Sequence, residues 1–514
     1  MSTVLWRPGD APLRLPPPHA EGFGPEDRVL TADVVVVGTG PGGAAVARAL
    51  AFTGARVVLV EEGPAESRFA HHQGPVMRYH MQEGGAMVAT GTANFPIASG
   101  RGVGGGSLIN SAIAWRAPAH VLDRWVEVLG DDRYGPGPLG AVYDELWPLL
   151  GIWPTRPEIS GKNNDLVVRG VQAMGLEGGY LARATPGCTG CGVCYFGCPT
   201  GGKASVNTNL LGEAVANGAT IQADAVIEAV LIDGDRAVGV AGTLRHPDTG
   251  EAGGRLTVRA GTVVLSAGGI GTPRLLHRCG LAERLGPAVG RGLHIHPGNA
   301  VLGMCDEPIH LWRGATQGAY FHPPDDPGCL PHTFSAPPEA CLGILGALGP
   351  EAKGMIPKLA NLCGLVVMIS DTGEGTVRAW PDGRARITYD FATADIERIK
   401  RGMGWAAKVL LAGGAREVMA PVVGATPTND ADVLMARITP RPLTDFLLYA
   451  SHPMSSCRMG TDPATSVIRP DARTHTIDRL YLADTSIFPT SLGVNPSITT
   501  MAMATIIGRG IAAG

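Results

Sequence analysis

The chain has 514 residues, of which 45% are hydrophobic and 17% charged, and its formal net charge is -4. This composition is typical of a soluble globular protein of two or three domains. The small net charge does not predict electrostatic binding to nucleic acid or to anionic lipid. No apolar stretch approaches the roughly 18 residues of a membrane span and the first ten residues lack a signal-peptide pattern, so we predict a cytoplasmic protein without a membrane span.

The first elements form a strand–helix–strand unit. Residues 1–30 are rich in Pro and Gly and predict an irregular arm. Residues 34–37 are a β-branched apolar run, typical of a buried parallel strand. Residues 44–53 have helical spacing, and Val57–Val60 predicts a second buried strand.

The turn between the first strand and the helix carries a Gly-x-Gly-x-x-Gly pattern at Gly38, Gly40 and Gly43. The first glycine permits a tight turn, the second lets backbone approach a pyrophosphate, and the third lets helix pack on strand. The helix N-terminus then offers free N–H groups to phosphate. Glu61 ends the second strand, where an acid accepts hydrogen bonds from ribose hydroxyls. The unit predicts a dinucleotide site and does not separate NAD from FAD.

Four cysteines lie within one short loop, at Cys188, Cys191, Cys194 and Cys198. Their spacing is that of a bacterial ferredoxin loop, and thiolates are soft ligands for iron or zinc. In a reducing compartment such a group indicates metal ligation more than disulfides. An iron–sulfur cluster, a structural zinc ion and no metal are the three alternatives.

Further elements follow along the chain. Residues 220–242 alternate like paired strands, and residues 262–266 predict another buried strand. Residues 377–389 predict a hairpin around the Pro-Asp-Gly at 381–383. Residues 395–411 predict an amphipathic helix that ends at Gly413 and Gly414, and the C-terminus predicts an apolar helix.

Several segments, which follow one another in the family's order, resemble the glucose–methanol–choline (GMC) family of flavoenzymes. Residues 100–110 read GRGVGGGSLIN and fit the family's first signature at every specified position. Residues 268–280 read GGIGTPRLLHRCG and resemble the second, with mild departures at Gly269 and Cys279. The C-terminal part contains SHPMSSCRMG, LADTSIFP and GVNPS. The resemblance covers residues 31–511 and is weakest over 305–440, where the substrate would be chosen.

The resemblance implies an α/β fold with a Rossmann-type FAD-binding domain and an interleaved substrate domain built on an antiparallel sheet. We expect the FAD domain to comprise residues 31–120, 203–300 and 441–514. The substrate domain would comprise residues 121–187 and 301–440, with a cysteine-rich loop at 188–202 and the arm at 1–30.

The family's site residues can be carried over to matching positions. Those implied to contact FAD are Gly38, Gly40, Gly43, Glu61, Arg101, Gly105, Ser107, Asn110, Val226, Asp484 and Asn495. Ile109 precedes Asn110 where covalent relatives use a histidine, so we expect noncovalent FAD. His452 would accept the alcohol proton, directly or as a hydrogen-bond acceptor, and Asn495 would position the substrate oxygen. For His294, His296 and Cys457 we predict structural roles.

The resemblance also bears on the cysteine loop. The family's sugar dehydrogenases carry iron–sulfur ligands in a C-x5-C-x3-C pattern, which Cys188, Cys194 and Cys198 match, and its long-chain alcohol oxidases have a similar four-cysteine loop. We therefore predict a 3Fe-4S or 4Fe-4S cluster, with Cys191 as a further ligand.

The predicted reaction is oxidation of a small-molecule alcohol to an aldehyde or ketone by hydride transfer to flavin N5. The electron acceptor would be O2, a dye-like acceptor or a redox protein, and no nucleic acid partner is expected. Oxidation of a sugar or aminoglycoside primary alcohol is one alternative. A family-type lyase or a non-catalytic electron-transfer flavoprotein is another.

Overall fold

The structure is a computed structural model that describes residues 17–345, 349–422 and 426–514. Within these residues the chain forms an α/β fold with one mixed sheet and two further large sheets. Residues 1–16 of the predicted arm lie outside the described residues. The rest of that arm pairs at Glu21 with Gln222, and the first strand already begins at Arg28.

The strands of the described residues are, in chain order, β1 (Arg28–Val37), β2 (Val57–Val60), β3 (Val88–Gly91), β4 (Phe95–Pro96), β5 (Ile152–Pro154), β6 (Gly178–Tyr180), β7 (Ala182–Ala184), β8 (Thr220–Gln222), β9 (Ala225–Asp233), β10 (Arg236–Arg245), β11 (Ala252–Leu265), β12 (Arg291–Leu293), β13 (Gly298–Met304), β14 (Ala319–Phe321), β15 (Cys329–Thr333), β16 (Leu362–Ile369), β17 (Glu374–Ala379), β18 (Ala385–Asp390), β19 (Glu417–Met419) and β20 (Leu480–Leu482).

The α-helices of the same residues are α1 (Pro41–Ala51), α2 (Gln73–His80), α3 (Ala119–Leu129), α4 (Pro136–Leu149), α5 (Pro157–Ser160), α6 (Lys162–Ala173), α7 (Leu210–Ala216), α8 (Gly268–Arg278), α9 (Ala282–Leu285), α10 (Pro338–Ile344), α11 (Pro350–Met355), α12 (Thr393–Ala412), α13 (Ala431–Ile438) and α14 (Ser497–Ala513).

The mixed sheet carries the glycine turn. Its strands lie in the order β8-β2-β1-β11-β10-β9, and β20 pairs with the C-terminal end of β11. The contacts among β8, β2, β1, β11 and β20 are parallel, whereas β10 joins β11 and β9 in antiparallel fashion. Because a parallel sheet is covered on both faces, the central strand segments are apolar: all four residues of β2 and the last four of β1 are buried.

The helix α1 begins at Pro41. Proline has no backbone N–H, but the first residue of a helix makes no intrahelical hydrogen bond through this group, and the fixed φ of proline suits the first helical turn. It packs against α14 so closely that a Cβ at Gly508 would lie 2.8 Å from the Ala49 Cβ. The C-terminal helix therefore packs directly on the helix that follows the glycine turn.

The other large sheets form a second layer. A six-stranded antiparallel sheet has the order β19-β13-β16-β15-β14-β6, and a five-stranded sheet has the order β12-β17-β18-β3-β4. The long helix α12 packs on the six-stranded sheet with buried side chains such as Ile399 and Met403. This sheet contains most strands of the segment where the family resemblance is weakest.

Several local predictions are confirmed. The second strand has the predicted bounds, and the hairpin is formed by β17 and β18 with Val377 opposite Ile387. The helix α12 ends at Ala412, with Gly413 as its C-cap. The fold class is confirmed, while the domain bounds stay a prediction. No helix among the described residues combines the length and the apolar character needed to cross a membrane.

Candidate active site

A cavity of about 660 Å³ lies between the mixed sheet and the six-stranded sheet. Many of the predicted site residues line it, and they come from segments far apart in the chain: Gly38, Gly40, Glu61, Gly105, Asn110, His452, Asp484 and Asn495. The opposite part of the wall includes the side chains of Ala300, Val366 and Met368 from the antiparallel sheet, and that of Phe334 directly after β15. The fold thus brings the predicted nucleotide and catalytic residues to one enclosed space.

The glycine turn gives this cavity a backbone wall. Gly38 has a φ of 105°, and a Cβ there would lie 2.3 Å from the Ser266 carbonyl oxygen, so only glycine fits the turn. At Gly40 and Gly106 a Cβ would have no atom closer than 3.8 Å, which leaves their backbone open to the cavity. Together with the α1 N-terminus, this cradle fits a pyrophosphate.

Glu61 reaches the cavity, but its carboxylate is already saturated by protein donors. It accepts hydrogen bonds from the Thr39 N–H and hydroxyl (3.1 and 2.7 Å) and from the Gly63 and Gly102 N–H groups (each 3.0 Å). Burial raises the pKa of Glu61. A carboxylate offers about four acceptor sites, so a ribose hydroxyl would have to replace one of these donors. The predicted ribose contact stays a prediction.

The neighbouring acid was not predicted. Glu62 lines the same cavity and forms an ion pair with Arg274, 3.2 Å between Nη2 and Oε2. Although burial acts to raise the pKa of Glu62, the Arg274 and Arg101 charges outweigh it and the pKa is lowered. The acidic pair that follows β2 in the sequence is the signal that points to this second carboxylate.

Asp484 joins the second glycine signature to the C-terminal segment. Its Oδ2 accepts hydrogen bonds from the Gly268 N–H (2.9 Å) and the Thr272 hydroxyl (2.5 Å), and its Oδ1 accepts from the Ser486 N–H (2.7 Å). Burial raises the pKa of this carboxyl. Asp484 therefore fixes the start of α8 at the cavity wall, where it was predicted to contact the flavin.

Four residues predicted to contact FAD do not line the cavity. Gly43 lies under the turn, where a Cβ would be 2.0 Å from the Gly38 oxygen. Arg101 donates to the Glu62 carbonyl at 3.1 Å. The Ser107 hydroxyl donates to the Gly104 carbonyl at 2.7 Å. In β9, Ala225 and Ile227 line the cavity while Val226 between them does not. At Gly43, Arg101 and Ser107 the structure therefore shows contacts with neighbouring segments of the protein. The predicted contact of these three residues and of Val226 with FAD stays a prediction.

His452 and Asn495 meet at the cavity as predicted partners. The His452 Nε2 and the Asn495 Nδ2 are 3.1 Å apart. On its other side, the His452 Nδ1 lies 3.3 Å from the Nδ1 of His296, and the His296 Nε2 accepts a hydrogen bond from the Gly493 N–H at 2.9 Å. Burial lowers the pKa of His296 to about 4 and that of His452 well below its ordinary value. Both rings are therefore neutral near pH 7.

A buried aspartate that sequence reasoning missed supports this histidine pair. Asp371 accepts hydrogen bonds from the N–H groups of Ile295 and His296 and from the hydroxyls of Tyr389 and Ser491. Burial acts to raise its pKa, but the neighbouring His294, whose Nδ1 lies 3.4 Å from the Asp371 Oδ2, outweighs it, and the pKa of Asp371 lies well below its usual range. These bonds hold His296 at a φ of 50°, which side-chain-bearing residues rarely adopt. Nothing in the local pattern around Asp371 signals this role.

The cysteine loop lies beside the cavity. All four cysteines line one small cavity of about 10 Å³, and sulfurs accept hydrogen bonds, for example from Arg183 to Cys194 (3.2 Å) and from the Lys203 N–H to Cys198 (3.2 Å). Burial acts to raise the pKa of Cys194, but Arg183 and Lys203 lower it overall. Yet nowhere in residues 17–345, 349–422 and 426–514 do three or more His, Cys, Asp or Glu side chains form a group that could hold a metal ion. The geometry of the described residues therefore gives no support to the predicted metal centre, which stays a prediction.

Fold and cavity define the class: an α/β dinucleotide-binding protein with a histidine–asparagine pair at the wall of the cavity that also contains the glycine turn. Two models described as GMC oxidoreductase match residues 77–298 and 371–504. An uncharacterised GMC-type oxidoreductase of Mycobacterium tuberculosis is 34% identical over 486 residues, which cover 93% of this chain and 75% of that protein. The chain belongs to the GMC oxidoreductase family, and it is an FAD-dependent oxidoreductase that acts on CH–OH groups.

Two further comparisons are with an enzyme of similar sequence and with a solved structure of similar fold. A long-chain-alcohol oxidase of Arabidopsis thaliana is 29% identical over 520 residues, covering 94% of this chain and 68% of the relative. Pyridoxine 4-oxidase from Mesorbium loti has a solved structure that matches with a TM-score of 0.72 at 20% identity, covering 93% of this chain and 98% of that one. The structural match shows the fold.

Proposed function

We propose that this protein oxidises an alcohol to an aldehyde or ketone, with His452 and Asn495 contacting the alcohol oxygen. The observation that carries the proposal is the 3.1 Å pairing of these two side chains at the wall of the cavity that also contains the glycine turn. Asn495 is buried, at 9% exposure, and His452 is half-buried. A substrate oxygen at this pair would be shielded from bulk water, which strengthens its hydrogen bonds.

The residues present fit FAD. The glycine turn with the α1 N-terminus would hold the pyrophosphate, Glu61 the adenosine ribose, and Asp484 with the first turn of α8 the flavin end. When bound, FAD supplies the acceptor for the hydride that leaves the carbinol carbon. The chain's own contribution is to orient the alcohol, exclude water and take up the hydroxyl proton. General-base assistance of this kind typically contributes about 10²–10⁴-fold.

The wall of the cavity favours an alcohol on an apolar chain. Leu447, Leu448 and Tyr449 lie on it together with the apolar face of the antiparallel sheet, and few polar groups there could bind sugar hydroxyls. The long-chain-alcohol oxidase comparison points the same way. A sugar or aminoglycoside alcohol is the alternative substrate. Its hydroxyls would have to form hydrogen bonds with the few polar side chains on this wall, such as Ser111 and Gln317.

An anaerobic screen of alcohol classes tests the proposal. Loss of the oxidised flavin band with primary alcohols of increasing chain length, but not with sugars, is the expected result. If no alcohol bleaches the flavin while a redox partner reduces it, the protein is an electron-transfer flavoprotein. Turnover without net oxidation would indicate a lyase. Repeating the assay with O2 and with a dye identifies the acceptor.

We also propose that the cysteine loop holds an iron–sulfur cluster, on the basis of its spacing and of the donors that favour thiolates. Lys203 supports a functional link to the flavin site. Its Nζ donates to the carbonyls of Leu108 and Asn110 (each 2.8 Å) and of Cys194 (3.2 Å), so it ties the loop to the first glycine signature. Iron and acid-labile sulfide analysis of anaerobically purified protein tests this proposal.

A further inference from the structure

Two buried cysteines outside the cysteine loop lie in contact on the six-stranded sheet. Cys305 directly follows the last residue of β13, Cys363 is the second residue of β16, and their Sγ atoms are 3.7 Å apart. They come together because β13 and β16 are neighbouring antiparallel strands, with Met304 opposite Leu362. The two thiols are therefore held close together by the sheet itself.

The register of these strands explains how the two sulfurs meet. Gly303 lies directly opposite Cys363, so Cys363 and Cys305 are diagonal neighbours on the same face of the sheet. A Cβ at Gly303 would lie only 2.6 Å from the Cys363 Sγ. The missing side chain of Gly303 thus leaves room for the Cys363 sulfur to lie across β13, on the side of Cys305.

The distance that separates the sulfurs from a covalent bond is short. A disulfide needs about 2 Å between its sulfurs and Cα atoms within about 7 Å of each other. Diagonal neighbours in an antiparallel pair have Cα atoms about 7–8 Å apart, so a bond requires a small approach of the two backbones. Cys305 permits this approach, because it lies beyond the end of β13 and next to the exposed Asp306.

Cys305 is the thiol that an oxidant reaches first, since it is 6% exposed whereas Cys363 is fully buried. A hydrogen bond with Cys363 and the charges of Arg169 and Arg416 lower the pKa of Cys305 in spite of its burial. The same hydrogen bond and burial raise the pKa of Cys363 well above its ordinary value. Because the thiolate is the reactive form of cysteine, Cys305 attacks an oxidant and Cys363 follows.

We propose that Cys305 and Cys363 form a reversible disulfide when the protein meets a hydroperoxide such as hydrogen peroxide. The Cys305 sulfur attacks one peroxide oxygen, the O–O bond breaks, water leaves, and Cys305 becomes a sulfenic acid. The Cys363 sulfur then attacks the Cys305 sulfur and displaces its hydroxyl as a second water. Two thiols are oxidised to one S–S bond, one peroxide is reduced to two waters, and the two thiol protons end on these waters.

The disulfide would fasten two strands that build the cavity wall. Ala300 of β13 and Val366 and Met368 of β16 line the cavity. The bond would join positions that are 58 residues apart in the chain, and a long closed loop restricts the unfolded chain more than a short one. Oxidation should therefore stabilise the sheet beside the cavity. The disulfide is independent of the proposed alcohol oxidation, because it uses none of the residues assigned to that reaction.

Peptide mass spectrometry of the FAD-loaded full chain, treated with hydrogen peroxide and then alkylated, tests the bond. We expect a linked pair of peptides that contain Cys305 and Cys363 and that separate after dithiothreitol treatment. Peroxide should also raise the Tm by at least about 2 °C relative to its effect on Cys363→Ala. Cys341→Ser, at a buried cysteine outside the pair, should behave as wild type. If excess peroxide yields no linked peptides, the proposal is wrong.

Dimedone, which reacts with sulfenic acids, tests the order of the two steps. It should label Cys305 in Cys363→Ala, while Cys363 should stay unlabelled in Cys305→Ala. Gly303→Ala should lower the yield of linked peptides, because its Cβ would take the space of the Cys363 sulfur. Labelling of Cys363 without labelling of Cys305 would overturn the assigned order, and an undiminished yield in Gly303→Ala would overturn the role of the glycine.

Discussion

The Nδ1 atoms of His296 and His452 lie 3.3 Å apart, although 156 positions separate the two residues in the chain. Two neutral imidazoles that face each other in this way can share only one proton. The state of the predicted catalytic histidine is therefore set by a second histidine, and through it by the Gly493 N–H and the Asp371 carboxylate. The site is a connected network rather than an isolated pair.

The first prediction concerns FAD. Purified protein should be yellow and release intact FAD on denaturation. Gly40 has an ordinary φ of -67° and open space at its Cβ position, so Gly40→Val should fold but place its side chain in the cavity. We expect the Kd for FAD to rise by at least about tenfold, or about 1.4 kcal/mol, as measured by equilibrium dialysis.

Gly137→Ala is the matched control for that measurement. Gly137 is exposed on α4, and a Cβ there meets no atom within 4 Å, so this variant should retain its FAD. Colourless wild-type protein that cannot be reconstituted, or a Gly40→Val variant with normal affinity, would remove the glycine turn from the site.

The second prediction concerns the catalytic pair. His452→Ala should keep FAD but slow anaerobic flavin reduction by at least about 100-fold, because the alcohol oxygen loses its partner. Asn495→Ala should be less damaging. Stopped-flow absorbance gives both rates. His19→Ala, at a side chain that is 83% exposed, should behave as wild type. A His452 variant with near-normal reduction would show that this residue takes no part in the chemistry.

The third prediction concerns stability and pH. Asp371→Asn should lower the free energy of unfolding by roughly 2–5 kcal/mol, because buried donors lose a charged acceptor. The folded-state pKa of Asp371 is lowered, so its contribution is present above the unfolded-state pKa of about 3.9. It is lost as pH falls further, through the folded-state pKa.

The Tm difference between wild type and Asp371→Asn should thus be constant near neutral pH and narrow below about pH 4. Asp235→Asn is a control, because this side chain is 92% exposed and should change Tm little at any pH. A Tm gap that widens on acidification would contradict the sign of the pKa shift.

The fourth prediction concerns the cysteine loop. Protein purified without oxygen should contain iron and acid-labile sulfide, and Cys194→Ser should abolish the paramagnetic signal of the cluster. The variant should still reduce its flavin with substrate but turn over slowly with an external acceptor. Cys341→Ser, at a buried cysteine outside the loop, should leave the signal intact. If the wild-type protein contains zinc or no metal, the predicted iron–sulfur cluster is wrong. If it contains iron but Cys194→Ser turns over at the normal rate, the cluster has a structural role and does not carry electrons from the flavin.

The strand–helix–strand unit that carries the glycine turn could be predicted from local sequence patterns. The valine run of β1, the glycine turn and the apolar β2 follow from side-chain periodicity and from the φ that Gly38 must adopt, and these depend only on neighbours in the chain. The same holds for the β17–β18 hairpin and for α12. Motif resemblance added His452, Asp484 and Asn495, and the fold places all three at one cavity.

What the sequence by itself determined about this protein is therefore its fold class and its family, and it predicted site residues that the fold brings to one cavity. Only the tertiary structure decided that His296 and Asp371 support His452, that His332 faces the same cavity, and that Arg101 and Ser107 lie away from it. These contacts depend on the order of strands in two sheets and on burial. Neither is encoded in the spacing of nearby residues, because each pairs segments that are far apart in the chain.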